Sequence, residues 1–206
     1  MKTAALLLLL AAWPAFAQPA AKLKLRVFDF EPDLRTSLVH HPAPGVELLL
    51  TQRDPTATGR IAILDKKPID RSFTVSAIFS IRSANDCAGG LWLSTKSQNS
   101  IFYAVEQKQK RMRVLMFSGF FGDLVKPFAM ASDGGVVGQR VVEDQGGRSY
   151  FTSADRGETW EQVFRETFDG PQPGSLRTRR YGLAIENRPG SPDAPDCTLV
   201  LYKLKE

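Results

Sequence analysis

The sequence has 206 residues, of which 43% are hydrophobic and 24% are charged, so it is long enough for one domain with a sizeable core. The formal net charge of +5 is a modest basic excess, and no signature of a nucleic-acid-binding fold accompanies it. We therefore expect no nucleic-acid partner. The basic groups at residues 108–113 and 177–180 fit solvated strand ends and loops, with attraction of an acidic polysaccharide or a nucleic acid as the alternative.

The first 17 residues have the three parts of a secretory signal. Lys2 provides the positive start, residues 4–12 are apolar, and Ala15-Phe16-Ala17 is a small-x-small cleavage site. The apolar run is far shorter than the roughly 20 residues that span a bilayer, and no Cys follows it as a lipoprotein anchor would require. We predict cleavage after Ala17, a secreted or periplasmic chain that starts at Gln18, and no membrane span in that chain.

Cys87 and Cys197 are the two cysteines of the sequence. An even count in an exported chain favours a disulfide, and two cysteines allow one pairing. The bond would tie the end of an early strand to the start of the last strand. Two buried thiols are the alternative, whereas two cysteines alone would make an incomplete metal site.

Short segments with strand character follow one another along the chain. In residues 72–83 apolar side chains alternate from Phe73 to Ile81, which is the period of a half-buried strand. Turn residues such as those at 132–135 and 146–147 separate the segments, and no window has a persuasive helical repeat. The predicted strands are 23–30, 46–51, 61–64, 72–83, 90–95, 100–107, 111–117, 136–142, 148–152, 159–165, 179–186 and 198–204.

This pattern predicts an all-β fold, a two-sheet antiparallel β-sandwich. We take residues 18–206 as one domain, with the N-terminal strands as the first strands of the same sandwich, because an independent N-terminal domain would be too small.

Residues 153–160, Ser-Ala-Asp-Arg-Gly-Glu-Thr-Trp, fill every position of the pattern S-x-D-x-G-x-T-W. We expect a hairpin loop in which Asp155 accepts backbone N–H bonds, Gly157 takes a positive φ and Trp160 packs under the turn. The pattern resembles the Asp-box of sialidases and other carbohydrate-active secreted proteins, where it lies away from the catalytic centre. The resemblance implies a structural role for Ser153, Asp155, Gly157, Thr159 and Trp160. One box without an internal repeat does not fit a propeller.

From residue 72 onward the order of features resembles a concanavalin A-like jelly roll of the laminin G and glucanase type. The resemblance rests on the strand 73–81, the segments 88–93 and 100–105, the strand 149–153 that enters the box, and the segments 181–185 and 197–204. It implies two sheets packed face to face, with sugar bound on the concave sheet or on loops at one end.

The carboxylates best positioned on predicted strands are Glu106 and Glu186. Laminarinase-like enzymes of the fold that the sequence resembles carry E-x-D-x-x-E on one strand. This sequence lacks that motif. Glu106 and Glu186 are therefore weak candidates for a catalytic pair, with solvated strand carboxylates as the alternative.

Histidine occurs at one place, His40-His41, which lies beside Pro42 and Pro44 and is expected to be a loop. No second group of possible ligands has metal-ligand spacing, so we expect neither a metal site nor a cofactor. Calcium bound by carbonyls of the loops at 85–86 or 133–134 stays open.

Aromatic side chains are the natural contacts for a sugar, because ring faces bury apolar area at low cost in rotamer entropy. The candidates are Trp92, Tyr103, Phe120 and Phe121. Core packing is the alternative for Trp92, which lies between two leucines. Phe120 and Phe121 lie in a loop-like frame, where two adjacent rings cannot both point into a core.

The sequence thus favours an exported, non-catalytic domain that binds a glycan or another extracellular ligand. The alternatives are a glycoside hydrolase or polysaccharide lyase with an unusual active site, and an envelope module that binds another protein.

Overall fold

The computed structural model describes residues 27–29, 36–52, 60–63, 72–82, 87–96, 100–106, 111–118, 120–122, 128–129, 135–169, 173–187 and 197–206. Within these ranges the chain forms fifteen β-strands in two sheets and one short 3-10 helix, Pro173–Ser175. The strand pairs are antiparallel throughout. The predicted all-β, two-sheet sandwich is confirmed.

Sheet A contains eight strands. Its order is β1-β4-β14-β6-β7-β8-β10, and β9 pairs with β8 beside that path. The strands are β1 Val27–Asp29, β4 Arg60–Ile63, β6 Cys87–Thr95, β7 Ser100–Glu106, β8 Arg111–Ser118, β9 Phe120–Gly122, β10 Phe128–Ala129 and β14 Thr178–Asn187.

Sheet B contains seven strands in the order β13-β12-β11-β5-β15-β3-β2. The central strand β5 pairs with β11 on one side and with β15 on the other. The strands are β2 Thr36–Ala43, β3 Val46–Gln52, β5 Phe73–Arg82, β11 Val136–Glu143, β12 Gly147–Ser153, β13 Glu161–Thr167 and β15 Cys197–Lys205.

The main core lies between the two sheets. Successive side chains of a strand point to opposite faces, so every second residue contributes to it. On β5 these are Val75, Ala77, Phe79 and Ile81, all buried. They pack in one cluster with inward side chains of sheet A, which include Leu91, Leu93, Ile101, Tyr103, Val105, Leu183 and Ile185.

One disulfide and one hydrogen bond join the two sheets inside this core. Cys87 of β6 and Cys197 of β15 are bonded, with Cα atoms 6.0 Å apart and a sequence separation of 110. The predicted disulfide is confirmed, although Cys87 begins a strand instead of ending one. In addition, Oε1 of the buried Gln139 accepts a hydrogen bond from the Leu91 backbone N–H at 2.9 Å.

The N-terminal strands belong to the same two sheets, because β1 and β4 pair in sheet A and β2 and β3 in sheet B. The prediction of a loop at His40-His41 is wrong, because both residues lie in β2. Proline is tolerated there because β2 is the edge strand of sheet B, and its register with β3 shifts between His40 and Ala43. Within the described ranges, no helix is long and apolar enough to cross a membrane.

Candidate functional site

The outer face of sheet A, which points away from sheet B, contains both carboxylates that the sequence singled out. Glu186 of β14 and Glu106 of β7 each lie opposite Ala88 of β6. The register continues the row with Arg60 of β4 beside Glu186 and Arg111 of β8 beside Glu106. Acidic positions therefore flank an alanine, and basic positions flank the acidic ones.

Glu106 is bound by two guanidinium groups. Arg111 donates from Nε to Oε2, and Arg113 donates from Nη1 to Oε1 at 2.6 Å. The Glu106 side chain is fully buried, while about a third of Arg111 is exposed (34%). Two guanidinium groups favour the ionised carboxylate, so Glu106 is poorly suited to donate a proton.

Glu186 is also buried. Its Cα and that of Glu106 are separated by two strand spacings, which is about 10 Å. Inverting glycosidases hold two carboxyl groups at roughly 6.5–9.5 Å, with one of them as the acid. The register thus brings the two residues onto one face, with Cα atoms about 10 Å apart and with Arg111 and Arg113 bound to Glu106.

Trp92 lies on the same outer face, in a second apolar cluster that is separate from the main core. It is 7% exposed, and its cluster partners are Ala88, Phe102, Ala104, Leu115 and Ala184. Between the charged row and the aromatic row, Ala184, Gly90 and Ala104 form a row of small residues. All three positions are buried.

Tyr103, predicted as a possible ligand contact, points into the main core. The side chain has no exposed area, and its ring meets that of Tyr150 edge to face at 5.4 Å. Its hydroxyl donates to the Phe151 carbonyl at 3.1 Å, and burial raises the pKa of this hydroxyl. We therefore assign Tyr103 to the core, because it follows Phe102 on β7 and so faces the other way.

Phe120 and Phe121 lie in the short strand β9 and not in a loop. Phe121 pairs with Phe117 of β8, and Phe120 pairs with Ser118. The antiparallel pairing places β9 directly against β8. The side chains of Phe120 and Phe121 lie outside what the structure describes, so their contact role stays a prediction.

The 153–160 loop has the geometry that the sequence predicts. Asp155 accepts the backbone N–H groups of Glu158 and Thr159 at 3.1 and 2.9 Å, together with the hydroxyls of Ser153 and Thr159. These bonds hold the pKa of Asp155 well below its usual range, with the Thr159 side chain as the largest cause. Gly157 has a φ of +88°, a region that favours glycine.

Trp160 closes this loop and lies on the outer face of sheet B. Its Nε1 donates to the Gly157 carbonyl at 3.0 Å. A Cβ placed on Gly138 of β11 would lie only 3.2 Å from Cη2 of Trp160, so a glycine there lets the ring lie close to the sheet. Above the ring is Arg140, whose Cζ is 4.0 Å from the ring centroid.

A trough runs along β5 on this outer face. Ser76 lies between Arg140 of β11 and Lys205 of β15 in the register, and Lys203 lies opposite Ile78. Both lysines are exposed, whereas Ser76 and Ile78 are buried to 9% and 7% exposure. We define the β5 trough as the floor Ser76 and Ile78 with the walls Arg140, Trp160, Lys203 and Lys205.

A buried ion cluster at one end of the sandwich was not predicted from the sequence. Arg148 donates to Glu143 and Glu166, and also to the Leu176 carbonyl at 2.7 Å, while Glu143 accepts the Thr178 N–H. Burial by itself lowers the pKa of Arg148, but Tyr150 and the two carboxylates hold it above its usual value. The signal that could have predicted this cluster is the alternation of charge across β11, β12 and β13, where Glu143, Arg148 and Glu166 lie opposite one another in the register.

In the part of the chain that the structure describes, no group of three or more His, Cys, Asp or Glu side chains is positioned to hold a metal ion. The loops at 85–86 and 133–134, where calcium stayed open, lie outside that part.

No family model matches the sequence, and no curated protein matches it. Solved structures do resemble it. A carbohydrate-binding module, CBM66 from Bacillus subtilis, has a TM-score of 0.56 at 14% identity, over 82% of this chain and 90% of its own. Arcelin-5, a lectin-like defense protein from Phaseolus vulgaris, has a TM-score of 0.51 at 12% identity, over 86% and 95%. A beta-1,3-glucanase from Mycobacterium marinum has a TM-score of 0.51 at 13% identity, over 90% and 91%.

At these identities the likeness shows the fold. The protein is a two-sheet β-sandwich of the jelly-roll type, which binding proteins and enzymes of carbohydrates share.

Proposed function

We propose that the mature protein is an exported, non-catalytic domain that binds a glycan. The observation that carries the proposal is the β5 trough, where the register brings Arg140 to one side of β5 and the exposed Lys203 and Lys205 to the other. Arg140, the two lysines and the Ser76 hydroxyl supply hydrogen-bond donors for sugar oxygens. The resemblance to a carbohydrate-binding module and to a lectin-like protein supports this function by analogy of fold.

The 153–160 loop serves this site as an Asp-box with a structural role. Asp155 organises the loop through its bonds to Glu158 and Thr159, and the loop then delivers Trp160 to the wall of the trough. The box is therefore a support for the binding surface. Phe120 and Phe121 are further contact candidates outside it, whereas Trp92, also predicted as a contact, is buried in the apolar cluster of sheet A.

Hydrolysis or lyase chemistry is the second candidate, favoured by the shared row of Glu106 and Glu186. Against it stands the pairing of Glu106 with Arg111 and Arg113, because these two guanidinium groups occupy both oxygens of one carboxylate of the pair. The glucanase resemblance leaves both functions available to this fold.

Export is supported by the disulfide between Cys87 and Cys197, since such bonds persist in oxidising compartments. N-terminal sequencing of exported material should give Gln18 as the first residue. An exported protein that still starts at Met1 would contradict the predicted cleavage of a signal sequence after Ala17.

The deciding experiment is a glycan array probed with the purified mature protein, run beside an assay for released reducing ends. We expect binding to at least one glycan class without release. Release of reducing ends by the wild type that is lost in the double variant Glu106→Gln/Glu186→Gln would show that the protein is an enzyme. Absence of binding to every glycan on the array would contradict the proposed binding function.

A further inference from the structure

We propose that the ligand of the β5 trough is an acidic polysaccharide, whose carboxylate or sulfate groups are bound by Arg140, Lys203 and Lys205. The inference rests on the proposed glycan-binding function and adds the charge of the glycan and the side chains that recognise it.

The three cations of the trough are not paired with a carboxylate of the residues that the structure describes. In the described ranges no carboxylate forms an ion pair with Arg140, Lys203 or Lys205, although ion pairs are found elsewhere on both sheets. Instead the cations act on one another. Lys203 and, more weakly, Arg140 lower the pKa of Lys205. The carboxylate of Glu47 lies nearby, where it accepts the Leu204 backbone N–H at 2.9 Å. Like charges held close together favour the binding of an anion.

Arg140 is held in a geometry that suits an oxyanion. Its guanidinium lies 4.0 Å above the Trp160 ring, so its plane is supported from below. Its Nε is buried and has no hydrogen-bond partner among the residues that the structure describes. A guanidinium supported in this way can bind carboxylate or sulfate through paired hydrogen bonds, and it loses little conformational freedom when it does so.

The shape of the trough suits a linear chain. Arg140 and Lys205 flank Ser76 at two strand spacings, about 10 Å between their Cα atoms, and Lys203 continues the same wall opposite Ile78. Arg140 therefore lies on one side of β5 and the two lysines lie on the other. A polysaccharide that lies along β5 would present its acidic groups to both walls in turn.

Other anionic polymers fit this surface less well. Single-stranded nucleic acid is held by bases stacked on open aromatic faces, but Arg140 covers the Trp160 ring of the trough. Binding to a membrane surface uses apolar side chains that enter the lipid, and the exposed trough residues are the lysines Lys203 and Lys205.

The test measures binding of the mature protein to polygalacturonate and to dextran sulfate, with neutral dextran as the uncharged chain. The double variant K203Q/K205Q should weaken binding to the charged chains about tenfold at low salt. It should also reduce the slope of log K against log salt by about 1 to 2, because two cations no longer release counter-ions. The matched variant K96Q/R179Q removes the same charge from two other exposed positions and should change affinity less than about twofold.

Arg140→Lys tests the guanidinium apart from its charge. It should weaken binding to the charged chains severalfold, because an ammonium group cannot make the paired contact. Equal melting temperatures of the variants and the wild type show that the fold is kept.

The results separate this inference from the function on which it rests. Array binding to neutral glycans, combined with charged-chain affinities that K203Q/K205Q leaves unchanged, would overturn the acidic ligand and keep glycan binding. Absence of binding to every glycan would overturn both. Tighter binding to a polynucleotide or to phosphatidylglycerol vesicles than to polygalacturonate at equal salt would show that the occupant is of another class.

Discussion

Arg148 donates from Nε to Oε2 of Glu143 over 3.0 Å, and neither side chain is open to solvent. The same guanidinium donates to Glu166 of β13 and to the Leu176 carbonyl, which precedes β14. One side chain therefore ties three strands of sheet B to the segment that enters sheet A. A buried charge of this kind stabilises only while all of its partners are present.

The variant Arg148→Met should lower the free energy of unfolding by about 3–5 kcal/mol, because it leaves the carboxylate of Glu143 buried without its cation. Arg165→Met is the matched control. Arg165 pairs with Asp144 at 3.0 Å on the surface, where both side chains are largely exposed, and its loss should cost at most about 1 kcal/mol. Urea unfolding of the two variants provides the comparison, and equal costs would contradict the structural role of the cluster.

The sandwich could be predicted because its signal is local. In β5 the alternation from Phe73 to Ile81 sets both the strand and its buried face, and glycine-rich turns mark where strands end. Strand β2 was missed because two prolines suggest a loop. Its position at the edge of sheet B, which sequence does not reveal, makes the first of them tolerable.

The site could be predicted only in part, because it depends on register between distant strands. The loop at 153–160 is encoded in eight consecutive residues, and its hydrogen bonds follow the predicted pattern. The trough instead joins Arg140 to Lys205 across β5, and nothing local in the sequence relates those two residues. The burial of Tyr103 and of Trp92 could not be predicted either, because alternation along a strand does not show which of its faces packs in a core.

The disulfide should contribute strongly to stability. It closes a loop of more than 100 residues, since the cysteines are 110 apart in sequence. The double variant Cys87→Ala/Cys197→Ala should lose up to about 4.7 kcal/mol in the chain-entropy account. Denaturant unfolding measures the loss. Alkylation of the unreduced wild-type protein at both cysteines, detected by intact mass, would contradict the bond.

Asp155 should make stability depend on acid. Its folded pKa is depressed, so the stabilisation is fully present above the unfolded value of about 3.9 and is lost as the pH falls from there toward the folded value. Asp155→Asn should melt at a lower temperature at pH 7 and should show a flatter dependence between about pH 4 and pH 2.

Glu158→Gln is the matched control for this titration. It removes a carboxylate from the same loop, where Glu158 contributes its backbone N–H. Identical acid profiles for Asp155→Asn and the wild type would show that the loop bonds do not carry the effect. Glycan affinity should be nearly unchanged in Asp155→Asn, as expected of a supporting residue.

Tyr103→Phe tests the assignment of this residue to the core. The variant removes the hydroxyl that donates to the Phe151 carbonyl and keeps the ring, so it should cost about 0.5–1.5 kcal/mol of stability. Glycan affinity should not change, because the ring has no exposed face. A loss of affinity at unchanged melting temperature would return Tyr103 to the ligand surface.

Trp160 should affect both stability and binding, which separates it from Asp155 in the same loop. Its ring is half-buried, with Gly138 beneath it and Arg140 above it, so Trp160→Ala should cost less than the roughly 3–5 kcal/mol of a fully buried ring. The variant also removes the support of the Arg140 guanidinium, and affinity for polygalacturonate should fall severalfold. Trp160→Phe keeps an aromatic face under Arg140 and should recover most of that affinity. Calorimetric titration of both variants measures the difference, and wild-type affinity in Trp160→Ala would show that Arg140 needs no ring beneath it.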